Sequence, residues 1–252
     1  MNRLVFGLMA AVLAFGASRA DEFETLFQKG NRYYEEGKYE AAIQSYEEIV
    51  RAGRGNWQVF YNLGNAYFRQ NQLGKAILNY ERALKLNPDN EDIRFNLEYA
   101  NLKIVDRIPE PPKQAFVRWV ETLFWKPSFG FLLWMTLGFY AAGMLLLSSR
   151  YYWPRLQSRR ALKAATYLSW TLFLIFAVMF LLQWYHIETR TYAIVMEKEV
   201  RVTSSPTEDA VEVFSLHEGT KVQLQELSGR WVRIRLRDGK NGWLPLDSIE
   251  KI

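Results

Sequence analysis

Residues 57–90 read WQVFYNLGNAYFRQNQLGKAILNYERALKLNPDN, and this stretch decides the architecture of the N-terminal part of the chain. Small residues stand at Gly64 and Ala76, tyrosines at Tyr67 and Tyr80, and apolar residues at Phe60, Leu63 and Ala83. The pattern reads as two helices. Gly64 and Ala76 are small where the helices touch, and the tyrosines fill the space between neighbours. Pro88, in Asn-Pro-Asp, ends the second helix because proline disfavours the helical state in the residue before it. The template recurs 34 residues upstream, where Gly30, Tyr33, Ala42 and Tyr46 take the places of Gly64, Tyr67, Ala76 and Tyr80. That unit, 23–56, begins at Phe23, keeps Leu26, carries Ile49 where Ala83 sits and lacks the terminal proline. Such a period predicts helical hairpins that stack on one another.

The pattern resembles the tetratricopeptide repeat, with units at 23–56 and 57–90. A third segment, IRFNLEYANLKIV (93–105), repeats Asn62-Leu63 as Asn96-Leu97 but puts Glu98 where the small residue belongs. No second helix follows, since Pro109, Pro111 and Pro112 intervene. The segment therefore reads as a capping helix, completing a repeat domain over 21–106. Two repeats are few for a solenoid, so a partner or the rest of the chain is expected to help stabilise it. The concave face should carry Phe27, Asn31, Tyr34, Tyr61, Asn62, Asn65, Phe68, Phe95 and Tyr99. In repeats of this family that hold a C-terminal carboxylate, asparagines and basic residues clamp the acid. Asn31 and Asn62 match the asparagine positions, but Phe27, Asp92 and Asn96 stand where bases belong, so the implied clamp is incomplete. The groove reads as aromatic and amide-rich, suited to an extended peptide; several of these aromatics read equally as packing between helices.

The chain has 252 residues, 49% of them hydrophobic, and a net charge of +5. Its mean hydropathy is only −0.19, so the apolar residues are concentrated in blocks. The positive excess lies mainly in 150–163, where Arg150, Arg155, Arg159, Arg160 and Lys163 face no acid. A basic cluster between two apolar blocks is a topology signal rather than a nucleic-acid patch. Cysteine is absent, which excludes disulfides, thiol nucleophiles and thiolate metal sites. At the start, Arg3, the apolar run Leu4–Phe15 and Ser18-Arg19-Ala20 read as a signal peptide, 1–20, cleaved before Asp21.

Two uncharged stretches follow. The first is PSFGFLLWMTLGFYAAGMLLLSS (127–149), with a span assigned to 128–149; the second is 164–187. Each is long enough to cross a bilayer core of about 30 Å at 1.5 Å per residue. Trp125, Trp134, Trp184 and Tyr185 suit the aromatic belt at the lipid boundary. The short basic loop, 150–163, should stay in the cytoplasm, which puts both flanking domains outside, in agreement with the signal peptide. Gly138 and Ala142 form a small-xxx-small pair that could bring the helices close. No Asp, Glu, Lys or Arg lies within either span, which argues against ion or proton transport. Between repeats and spans, 107–127 holds four prolines and AFVRWVETLFW, whose Phe116, Trp119, Val120 and Leu123 spacing reads as an interfacial amphipathic segment.

From about Thr191 the period falls to two, in VRVTSSP, TKVQLQEL, WVRIRLRD and GWLPLDSIEKI. His217-Glu218-Gly219, Ser228-Gly229 and Asp238-Gly239 mark turns. Five or so short strands predict a small barrel over 191–252. The order VRVTSSP, LHEGT, GRWVRIRL, DGKNGWLP resembles the bacterial SH3 domain, with Trp243-Leu244-Pro245 as the short turn before the last strand. Pro206, Trp231, Trp243 and Pro245 could form its ligand surface, although Trp231 also reads as a core residue.

The only histidines, His186 and His217, sit in different elements, so a histidine metal site is not expected. No nucleophile elbow, phosphate loop or zinc-binding helix motif occurs, and neither an enzyme nor a cofactor is expected. The fold class is therefore multidomain: an all-α tetratricopeptide-repeat solenoid, a two-helix transmembrane hairpin and a small all-β SH3-like barrel. This domain order resembles the BatE type of the Bat (aerotolerance) bacterial membrane proteins. The resemblance implies a membrane complex with von Willebrand A-domain proteins and a MoxR-type ATPase, linked to stress or oxygen tolerance. The expected partners are peptide segments of proteins and membrane lipid, with peptidoglycan as the alternative and no nucleic acid.

Overall fold

The computed structural model describes residues 23–109, 114–125, 127–152, 160–189 and 191–252. The signal-peptide reading, Pro111, Pro112 and half of the basic loop (153–159) lie outside the described residues. The chain divides into two compact units, one joining the repeat segment to the C-terminal segment, the other containing the apolar helices.

In the first unit five helices succeed one another: α1 (23–35), α2 (Tyr39–Arg51), α3 (Trp57–Arg69), α4 (Leu73–Leu86) and α5 (Glu91–Asn101). The 34-residue period governs their ends as well as their faces. Asn56 and Asn90, one period apart, cap α3 and α5 by accepting from the backbone N–H of Val59 and Ile93; this satisfies helix-end donors that have no intrahelical partner. Gly37 and Asn71, also one period apart, both take the left-handed conformation that turns the chain between paired helices, at φ 74° and 58°. Tyr46 and Tyr80 are buried, with Ala42, Ala76, Ile49 and Ala83 beside them. A methyl at Gly64 would lie 2.7 Å from the Tyr80 ring and 3.2 Å from the Ala76 carbonyl oxygen, so only glycine permits this approach.

The C-terminal segment is an antiparallel sheet of seven strands: β1 (Tyr192–Val195), β2 (Glu199–Thr203), β3 (Glu212–His217), β4 (Lys221–Ser228), β5 (Trp231–Arg235), β6 (Asn241–Pro245) and β7 (Ile249–Lys251). They pair in the order β3-β2-β6-β5-β4-β1-β7, an open sheet with no ladder joining β3 to β7. The expected closed barrel is therefore not shown. Trp243-Leu244-Pro245 is not the last turn but part of β6; the turn is the 3-10 helix Leu246–Ser248 that follows. His217 closes β3 rather than sitting in the turn itself. Alternation holds: Val202, Val232, Ile234 and Leu244 are buried, while Arg201, Arg233 and Arg235 are exposed.

The sheet packs on the repeats. Ile194 belongs to the repeat core, and Met196 and Ile252 pack against it, so the sheet supplies apolar cover beyond the two repeats. Gly74 and Gly219 mark the tightest approach: a methyl at Gly74 would meet Glu218 Cγ at 2.7 Å, and one at Gly219 would meet Ile104 Cγ2 at 2.6 Å. Polar contacts surround this seam. Glu218 accepts from the Gly74 N–H (2.8 Å), Lys221 Nζ meets Glu81 Oε2 (2.7 Å), and Arg82 reaches both Glu250 (3.0 Å) and the Lys251 carbonyl (2.8 Å). Asp106 accepts from the His217 N–H (2.7 Å) and the Thr220 hydroxyl (2.6 Å), and its second oxygen lies 2.8 Å from His217 Nδ1.

The second unit holds α6 (Ala115–Trp125), α7 (Phe129–Tyr152) and α8 (Arg160–Thr189). By length and composition, Phe129–Ser149 and Arg160–Tyr185 are able to cross a membrane. The two helices run antiparallel, since Ser169 Oγ donates to the Phe139 carbonyl (2.8 Å) and Gln183 Nε2 to the Pro127 carbonyl (3.1 Å). Their close approach is not at Gly138, where a methyl would meet open space, but at Gly143, where a methyl would lie 3.1 Å from the Trp170 ring. In α6, Phe116 and Trp119 stack with centroids 6.2 Å apart, and both are exposed.

Candidate functional site

Helices α1, α3 and α5 open the three successive repeat units, and positions 34 apart on them form columns. Phe27, Tyr61 and Phe95 make one; Asn31, Asn65 and Tyr99 a second; Tyr34, Phe68 and Leu102 a third. All nine residues expected in the groove fall on these helices, with Asn62 beside the second column.

An amide network repeats with the same period. Asn31 Oδ1 accepts from the Tyr46 hydroxyl (2.7 Å) and from Asn62 Nδ2 (2.9 Å). One unit on, Asn65 Oδ1 accepts from the Tyr80 hydroxyl (2.8 Å) and from Asn96 Nδ2 (2.9 Å). Asn96 also donates to the Tyr61 hydroxyl at 2.9 Å, a bond that Phe27 cannot accept in the first unit. Asn96, which departs from the carboxylate-clamp pattern, thus completes the amide network. Burial pushes the Tyr46 and Tyr80 hydroxyls well above the usual tyrosine range, so both remain neutral donors. Asn31, Tyr34, Glu35, Tyr46, Asn62 and Asn65 line a cavity of about 230 Å³. The Asn31 and Asn65 oxygens are committed to holding the helices, and Asn31, Asn62 and Asn65 also line the cavity.

The aromatics divide between packing and display. Phe27 lies against Tyr46 (6.1 Å), Tyr61 against Tyr80 (6.1 Å) and Tyr34 against Tyr39 (5.3 Å). Phe68 meets Tyr99 at 5.7 Å. At the α5 end the face opens: Phe95 is 69% exposed, Leu102 68% and Tyr99 46%. A solenoid cap ordinarily turns a polar face outward, so α5 covers the second repeat while displaying an apolar surface of its own.

On the sheet, register brings the expected residues together. Trp231 stands opposite Pro245 and Arg233 opposite Trp243 on the neighbouring strand. Thr203 donates to both the Ser205 and Trp243 carbonyls, which brings the turn carrying Pro206 near Trp243. Trp231 is half-buried and alternates with the fully buried Val232 and Ile234, so it lies on the face away from the core.

A family model described as TPR repeat matches residues 30–71 and 64–104. Among curated proteins no significant relative is found. Similar solved structures include PcrH from Pseudomonas aeruginosa, 15% identical with a TM-score of 0.32, over 62% of this chain and 92% of that one. They also include the first TPR of Spaghetti (RPAP3) bound to the HSP90 peptide SRMEEVD, 22% identical with a TM-score of 0.21, over 32% of this chain and 92% of that one. The chain therefore carries tetratricopeptide repeats, a module of protein–protein interaction, at 30–104.

Proposed function

We propose that this protein is a non-enzymatic, membrane-anchored scaffold that holds an extended peptide segment of a partner protein in the concave groove of its repeats. The observation that carries this reading is the cavity lined by Asn31, Tyr34, Glu35, Tyr46, Asn62 and Asn65, where amide groups stand beside aromatic rings along the helices. Amides satisfy the backbone N–H and C=O groups of an extended chain, which must find partners when it leaves water. The sheet, whose sequence resembles the bacterial SH3 domain, braces the repeats. In this reading α7 and α8 cross the membrane, and the basic loop keeps their connection in the cytoplasm with both domains outside. The Bat-type domain order makes von Willebrand A-domain membrane proteins, acting with a MoxR-type ATPase in stress or oxygen tolerance, the partners to test first.

The test is recovery of the tagged full-length protein from crosslinked, detergent-solubilised membranes, comparing wild type with Asn62→Ala/Phe95→Ala. These substitutions spare the Tyr46–Asn31 bond, so a melting curve should show the fold intact. Recovery of A-domain membrane proteins by wild type and its loss in the variant is the expected outcome. Equal recovery by both would show that the groove is not the contact. Orientation is checked separately, because the chain lacks cysteine. Ser228→Cys should react with an impermeant maleimide in intact spheroplasts, whereas protection until lysis would place the sheet inside.

A second reading rests on Trp231, Trp243 and Pro245 sharing one sheet face: the protein would grip peptidoglycan there, aromatic faces stacking on sugar rings. The full-length protein should then sediment with cell-wall sacculi, and Trp231→Ala/Trp243→Ala should abolish it. Sedimentation unaffected by the pair removes this reading.

A further inference from the structure

One column of the groove is left unaccounted for by the peptide-backbone reading: Glu35, Arg69 and Lys103, again one period apart. All three are exposed. Glu35 lines the groove cavity. The Arg69 guanidinium lies 5.1 Å from the Tyr39 ring centroid, and the Lys103 ammonium lies 5.2 Å from that of Tyr99 and 6.0 Å from that of Phe68. Neither cation pairs with a carboxylate among the described residues, and Glu35 pairs with no base there. Arg69 is held over the Tyr39 ring at the start of α2 and Lys103 over the Phe68 and Tyr99 rings, arrangements that fix their positions while leaving their charges unneutralised.

We infer that the groove selects an extended segment with one basic and two acidic side chains, spaced about three residues apart, and an apolar residue beside the acids. This inference rests on the peptide-groove reading and adds its specificity. The charges follow from the column, in which Glu35 calls for a cation and Arg69 and Lys103 each call for an anion. The spacing follows from geometry. The Asn62–Asn31 bond joins α1 to α3, and α3 packs on α5. The axes of packed helices lie about 8–10 Å apart, and an extended chain advances about 3.3 Å per residue. One rung of the groove therefore matches about three residues. The apolar anchor follows from Phe95, Tyr99 and Leu102, which are exposed at the end where Lys103 stands. Because the cations sit along the groove, the acids they read are side chains within the segment, and a free C-terminal carboxylate is not required.

The test uses full-length protein in nanodiscs and fluorescence anisotropy. The probe is a labelled, C-terminally amidated peptide containing Lys-Ser-Leu-Asp-Ser-Leu-Asp. Its comparators are a charge-reversed peptide, Asp-Ser-Leu-Lys-Ser-Leu-Lys, and a peptide of the same composition with its two acids adjacent. The first peptide should bind best, and added salt should weaken it. Arg69→Glu and Lys103→Glu should each weaken it by roughly fivefold, in line with the modest worth of exposed ion pairs. The double reversal should favour the charge-reversed peptide. These sites are exposed, so melting curves should be unchanged. Equal binding of the three peptides, or a ranking the double reversal leaves intact, overturns the inference. If all three bind equally and Asn62→Ala/Phe95→Ala removes binding, the groove reading stands and only the charge code fails. No binding of any peptide counts against both.

Discussion

Ser45 and Asn79 occupy the same place in successive repeats; both are buried, and each donates to the carbonyl four residues before it, at 3.0 and 2.8 Å. The likeness ends at the second polar atom, for Asn79 Oδ1 is buried without a partner among the described residues. An unmet buried acceptor costs about 1–3 kcal/mol. Asn79→Leu keeps the size and removes that group, so it should stabilise the protein by about 1 kcal/mol, read as a rise in the denaturant midpoint at unchanged slope. A fall of similar size would mean that the amide is satisfied after all. Asn65 is the opposite case, because its oxygen serves both Tyr80 and Asn96. Asn65→Ala leaves two donors without an acceptor and should cost about 1–3 kcal/mol in the same assay. The same residue type is thus a liability at 79 and a strut at 65, and the difference lies in the neighbours each meets.

Helix caps show which elements were legible in the chain. Asn56 and Asn90 cap α3 and α5 from three residues away, and the 34-residue spacing of Gly30/Gly64 and Tyr46/Tyr80 announces the hairpins between them. Helix α4 has no cap from its own Gln72. Its first turn instead receives the Glu218 carboxylate, 144 residues distant, which meets the Gly74 N–H. No local pattern reports such a contact. A carboxylate at a helix N-terminus also suits the helix dipole, so Glu218→Gln should cost about 0.5–1 kcal/mol. Amide exchange should then quicken in the first turn of α4 as well as in the 218–220 turn; quickening in the turn alone would show that the carboxylate is no cap. Strands divide in the same way. β5 alternates buried and exposed residues and was readable. β1 is only four residues long, and β3, at the sheet's edge, keeps just Leu216 fully buried, so neither announces itself by period. In the groove, the aromatic and amide residues stood out by type. The Glu35, Arg69 and Lys103 column did not, because exposed charges on helices ordinarily signify only solvation.

On the scale of the whole molecule, the two segments of the first unit meet although the apolar helices lie between them in the sequence, and Asp106 stands near the end of the first segment. Burial by itself would raise the Asp106 carboxyl, but the hydrogen bonds from the Thr220 hydroxyl and from His217 outweigh it and hold the group below its ordinary value. A carboxylate depressed in the folded state contributes stability that is complete above its unfolded value, about pH 4, and is lost as pH falls through the folded value. The seam between repeats and sheet should therefore be insensitive to Asp106 protonation near neutrality and weaken on acidification below about pH 4. Asp106→Asn isolates this contribution: it keeps the shape, forgoes the charge and cannot titrate. Wild type should exceed the variant in unfolding midpoint from pH 7 to 5, and the gap should close as pH approaches 3. A gap that stays constant down to pH 3 would show that Asp106 joins the segments by shape alone. A gap that widened would reverse the sign, and the charged form would then be the one the fold disfavours.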